Sequence, residues 1–86
     1  MLIRKEIYRA LDALENTIYC DIQEYLETLT DKTVALGVPL SDYWDGNEAS
    51  SIFLDEDGTL MVRTIGGVVD FRSLSIQNKI DIAEAM

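Results

Sequence analysis

The sequence predicts an α+β fold in the order α-β-β-β-α: a long N-terminal helix, a three-stranded antiparallel meander and a short C-terminal helix. Three observations predict it. Apolar residues recur at helical spacing from Ile3 to Leu29 with no Gly or Pro between them. The period then changes to two across residues 51–74, interrupted by Asp55-Glu56-Asp57-Gly58 and Gly66-Gly67, both strong turn signals. Finally, Ser75 stands where a helix cap belongs, just before the run Ile76 to Ala85.

The first helix is expected over residues 2–29. Ile3, Ile7, Leu11, Leu14, Ile18, Ile22, Tyr25 and Leu29 step by 4, 4, 3, 4, 4, 3 and 4. That spacing is nearer an eleven-residue than a seven-residue repeat, so it does not predict a left-handed coiled coil. Tyr8, Tyr19 and Leu26 form a stripe to one side of this face. The C-terminus has two readings. Thr28, Thr30, Asp31 and Thr33 are weak helix formers and suggest a stop near Leu29. Leu36-Gly37-Val38-Pro39 has the form of a helix stop as well and allows a continuation to Leu36.

Residues 37–50 read mostly as loop, with Ser41 capping a single turn from Asp42 to Asp45 that Gly46 closes. Strands are expected at 51–55, 59–65 and 68–74. A three-residue loop at Glu56–Gly58 sets Ile52 opposite Val62 and Leu54 opposite Leu60. A two-residue loop at Gly66-Gly67 sets Val62 opposite Phe71 and Arg63 opposite Asp70. Both registers place Ile52, Leu54, Leu60, Val62, Val69 and Phe71 on one face, which a one-residue slip would scatter. In the last helix Ile76, Ile80 and Ala83 are expected to face inward.

Composition narrows the chemistry. The chain has 86 residues, and sixteen acidic against seven basic residues give a net charge of -9. That length suits one domain, taken as residues 1–86, and that charge argues against direct binding of nucleic acid. There is no His and a single Cys, so the usual zinc sites and an internal disulfide are impossible. Cys20 lacks a base and has Asp21 and Glu24 beside it, which disfavours a thiolate nucleophile. An EF-hand loop with Gly58 at its sixth position would need a ligand at Phe53 and a Glu at Thr64, so the calcium pattern fails. Gly66-Gly67 lacks the Lys-Ser/Thr of a phosphate loop. No enzyme, cofactor or metal site is expected. No stretch approaches the roughly 20 apolar residues of a membrane span, and an unpaired Cys fits the cytoplasm.

The remaining candidates are surfaces for partners. Tyr43 and Trp44, flanked by Asp42 and Asp45, are aromatics on an acidic loop; they either anchor a partner or fold back to cap the core. Tyr8 and Tyr19 join them as candidate partner-binding residues. The long helix adds two further hints. A 28-residue helix is about 42 Å long, whereas a compact domain of this size is roughly 30 Å across. Its charges also run against its own dipole. Residues 1–10 carry Arg4, Lys5, Arg9 and Glu6, a sum of +2, and residues 11–31 carry six carboxylates and no base, a sum of -6. An antiparallel copy would set Arg4, Lys5 and Arg9 against Asp21, Glu24 and Glu27. The expected function is therefore a small acidic regulator or inhibitor that binds a basic protein surface, of a kind encoded by phages and mobile elements, with DNA mimicry as a sub-case. The alternative is a homo-oligomeric structural module, most simply a homodimer, assembled through the long helix.

Overall fold

A computed structural model describes residues 4–41 and 47–86, the side chains of residues 4–6 and 8 excepted. Helix α1 (Arg4–Glu27) is followed by strands β1 (Thr33–Pro39), β2 (Glu48–Leu54), β3 (Leu60–Thr64) and β4 (Gly67–Asp70). A 3-10 turn (Phe71–Ser73) then leads into helix α2 (Ile76–Ala85). The strands form one antiparallel sheet in the order β1-β2-β3-β4. The fold is α+β, with four strands rather than the expected three.

The additional strand is β1, which lies where a helix stop and a loop were expected. Val34, Leu36, Val38 and Leu40 alternate inward along it, the period of a half-buried strand. Pairing is Ala35 with Ser51, then Val38 with Ala49, so Leu36 and Gly37 both face Ser50 across a bulge. Gly37 and Pro39 suit an edge strand, where a missing side chain and a missing N–H donor are tolerated. Upstream, α1 tightens as it ends, with Thr28 N donating to the Tyr25 carbonyl and Leu29 N to that of Leu26. Lys32 then turns the chain at φ 53°.

The β2–β3 hairpin matches its turn chemistry. Ile52 pairs with Val62 and Leu54 with Leu60. Asp55 Oδ1 accepts from the backbone N–H groups of Asp57 and Thr59, and Gly58 supplies the left-handed residue at φ 80°. The β3–β4 hairpin departs from expectation by two residues. Val62 pairs with Val69 and Thr64 with Gly67, so the turn residues are Ile65-Gly66. An even slip keeps every side chain on its expected face, but Arg63 now lies opposite Val68 and no Arg63–Asp70 pair forms. The Asp70 carboxylate instead caps the 3-10 turn by accepting from Arg72 N. That turn takes Phe71 out of the strand and into the core.

Both helices pack on one face of the sheet, and the buried side chains form one cluster centred on Leu26, Ile52, Leu60, Val62, Phe71 and Ile82. Here two expectations are corrected. On α1 the buried line is Tyr19, Ile22 and Leu26, while Ile7, Leu14 and Tyr25 of the expected inner stripe are exposed. The apolar arc of the helix is wide, and the sheet takes the side on which Tyr19 has a polar partner: its hydroxyl accepts from Leu60 N at 3.0 Å. On α2 the buried residues are Asn78, Lys79 and Ile82, while Ile76, Ile80 and Ala83 are half-buried at the flank. Asn78 goes inward because its Oδ1 accepts from both Ser41 N and Ser41 Oγ. Replacing Tyr19 by Phe is expected to leave the buried Leu60 N–H unpaired and to cost about 1–3 kcal/mol. Urea unfolding of Tyr19→Phe checks this, and an unchanged midpoint would show that the hydroxyl contributes nothing.

The opposite face of the sheet carries neither helix. Phe53 and Met61 are half-buried there, Val68 and Ile65 are exposed, and the Arg63 guanidinium lies 4.9 Å from the centroid of the Phe53 ring.

Candidate interaction surfaces

The sheet reaches α1 only along its second half. Tyr19 bonds to β3, Gln23 Nε2 donates to the Gly58 carbonyl at 2.8 Å, and Leu26 is fully buried. On the first half the described side chains are exposed apart from half-buried Leu11 and Glu15, and the molecule is 47 Å along its longest axis. Ile7 is 40% exposed, Leu14 42% and Tyr25 49%. These residues share one side of the helix because they stand seven and eleven residues apart, near whole numbers of turns. Between α1 and the end of α2 lies an open groove of about 300 Å³, walled by Ile18, Ile22, Tyr25, Ala83 and Met86, with Asp21 at its rim. The stripe and the groove are continuous through Ile18.

The solvent side of the same helix is acidic. Asp21, Glu24 and Glu27 are exposed, as is Cys20 between the first of them and Tyr19. Among the described residues the one ion pair is Lys79–Glu15. Lys79 reaches it from α2 with only 5% of its side chain exposed, against 33% for Glu15. A polar cavity of about 330 Å³ opens beside this pair, lined also by Asp12, Asn16 and Arg72. Its aromatic wall is organised by cations: the Arg72 guanidinium lies 4.1 Å from the Tyr19 ring centroid and Lys79 Nζ 6.0 Å from that of Phe71. The α1–α2 junction is thus held at one end by a charge pair whose lysine is buried and is left open at the other by the apolar groove.

Of the candidate partner-binding residues, Tyr19 is placed in the core, where it meets Phe71 edge-on at 6.1 Å and bonds to Leu60. The sequence sets it on a side stripe with Tyr8 and Leu26, open to a partner; the sheet covers that stripe at Tyr19 and Leu26, and the Leu60 N–H beneath the hydroxyl makes Tyr19 a core residue instead. Asp42, Tyr43, Trp44 and Asp45, together with the turn that Ser41 was expected to cap, lie outside the described residues, as does the Tyr8 side chain. Among the described residues no three carboxylate or thiol groups converge as a metal-binding cluster, and no helix is long and apolar enough to cross a membrane. Sequence reasoning missed Glu15, Lys79 and Arg72. Glu15 and Lys79 are 64 positions apart, and nothing local marks a lysine as buried. Comparisons with protein-family models, curated proteins and solved structures returned no match.

Proposed function

We propose that the chain is a non-enzymatic interaction module that binds a basic surface on another protein and acts as its regulator or inhibitor. One observation carries this reading: of the described carboxylates only Glu15 takes part in an ion pair, on a chain whose net charge is -9. Unneutralised charge of one sign accelerates encounter with an oppositely charged partner and suppresses encounter with like-charged ones. Asp21, Glu24 and Glu27 on the exposed side of α1 supply an accessible patch of such charge. The single exposed thiol suits the reducing cytoplasm as the working compartment.

Immobilised protein is expected to retain a basic protein from lysate at about 50 mM salt and to release it near 0.5 M, where the screening length falls to a few ångströms. The variant Glu24→Lys/Glu27→Lys alters only exposed positions, so it should fold normally and lose the retention. Retention that survives both high salt and this variant would refute electrostatic recognition. A second reading, assembly into a homo-oligomer through α1, is supported by the exposed apolar stripe of Ile7, Leu14 and Tyr25.

A further inference from the structure

The assembly reading extends to a defined geometry, which rests on it and needs no basic partner. We infer that a second copy of this chain covers the stripe of α1, antiparallel and centred near Asn16, with the first half of each α1 lying in the groove between α1 and α2 of the other copy.

The exposed residues of the stripe are matched to themselves in a register centred on Asn16. Ile7 and Tyr25 each stand nine residues from Asn16, and Leu14 and Ile18 each stand two from it. Pairing about Asn16 therefore sets Ile7 level with Tyr25 of the second copy and Leu14 level with its Ile18. Helix α1 spans Arg4–Glu27, so its midpoint falls between Glu15 and Asn16. The register that matches the stripe to itself is thus also the one that overlaps the two helices end to end. A shift by one turn would also match apolar residues, Leu11 with Tyr25 and Leu14 with Ile22, but would set Ile7 level with Leu29, beyond the end of α1, and shorten the overlap of the two helices.

The groove and the ridge that would fill it lie on opposite halves of the same helix. Ile18, Ile22 and Tyr25 wall the groove with Ala83 and Met86, while Ile7, Leu11 and Leu14 lie on the first half, with Ile7 and Leu14 exposed and Leu11 half-buried. A two-fold axis places each ridge in the other copy's groove and closes the assembly at two. The result is a layer of four helices, in which α2 of one copy shields the first turns of α1 of the other. Charge selects the direction. The +2 sum of residues 1–10 lies level with the acidic half of the second copy only in the antiparallel arrangement. A parallel pair would stack the two acidic halves together. This preference sets orientation, and apolar burial supplies the affinity.

Cross-linking reads out the register. In a Cys20→Ser background, Ile7→Cys and Tyr25→Cys are introduced singly and together. Within one chain these positions are about 27 Å apart along the helix, far beyond the roughly 7 Å limit between α-carbons that a disulfide bridges. Mild oxidation should convert the double variant to a covalent dimer and leave each single variant uncross-linked. Sedimentation of the unaltered chain at tens of micromolar should give a dimer. Ile7→Glu should weaken that dimer by at least about a hundredfold, since a symmetric pair loses the buried side chain twice, while its helical circular dichroism persists. A dimer in which Ile7→Cys alone cross-links would be parallel and would overturn the inference. A dimer in which the double variant fails to cross-link would overturn the register and leave helix-mediated assembly standing. A monomer at that concentration would overturn both.

Discussion

Truncating Phe71 to Ala is expected to cost about 3–5 kcal/mol, the range for deleting a buried aromatic ring. Phe71 is fully buried and central to the core cluster. It also joins three elements. The 3-10 turn positions its backbone, Tyr19 of α1 meets its ring edge-on, and Lys79 of α2 approaches its face. The cavity would open where those elements converge, and none of them is free to close it. A chain of this length has a total stability of roughly 4–13 kcal/mol, so the loss takes about a quarter or more of it and would unfold the variant at the low end of that range. Urea denaturation followed by circular dichroism measures this, with an unchanged m-value as the check that the denatured state is the same. A loss below about 1 kcal/mol, typical of surface changes, would place the ring outside the core.

Replacing Glu15 by Ala is the second large effect. It is expected to cost about 3 kcal/mol, because the Lys79 ammonium remains buried without its counter-charge. The value lies at the low end for broken buried pairs because Glu15 itself is one-third exposed, which leaves water a route to the site. The diagnostic is the double variant Glu15→Leu/Lys79→Met. Removing both charges and filling the space should recover most of the loss. Denaturation midpoints of the two single variants and the double variant give the coupling directly. A cost below about 1 kcal/mol for Glu15→Ala would show an ordinary surface pair. Lys79 Nζ also lies 6.0 Å from the Phe71 ring centroid, so its substitutions and Phe71→Ala are not expected to add.

The parts of the fold that could be read from the sequence are those whose signals are local and redundant. Asp55-Glu56-Asp57-Gly58 names its own turn, and the alternation of Ile52 and Leu54 with Leu60 and Val62 confirms the pairing from the other side. The Ser75 cap is equally local: its hydroxyl accepts from Asn78 N. Where a signal has two physical meanings, the choice depends on what lies alongside. Leu36-Gly37-Val38-Pro39 ends a helix as well as it forms a bulged edge strand, and only the presence of β2 decides. The apolar arc of α1 likewise offers two sides, and the sheet took that of Tyr19 and Leu26. What left no trace in the pattern is the polar interior. Asn78 and Lys79 are buried because Ser41 and Glu15 meet them, and a binary reading of apolar and polar positions assigns such residues to solvent. For the candidate interaction surface, the apolar stripe is legible in the sequence; which part of it stays uncovered follows only from where the sheet ends.

The bulge in β1 bears on how copies of this chain can join. An open sheet edge is a template that recruits further strands and, unchecked, grows into fibrils. Here one edge is broken by the Leu36-Gly37 bulge and lacks an N–H at Pro39, so no unbroken ladder of donors is offered. The other edge, β4, is only four residues long. Strand addition is disfavoured at both margins, so any contact between copies would rest on side chains and would favour an assembly of fixed size over an extending one.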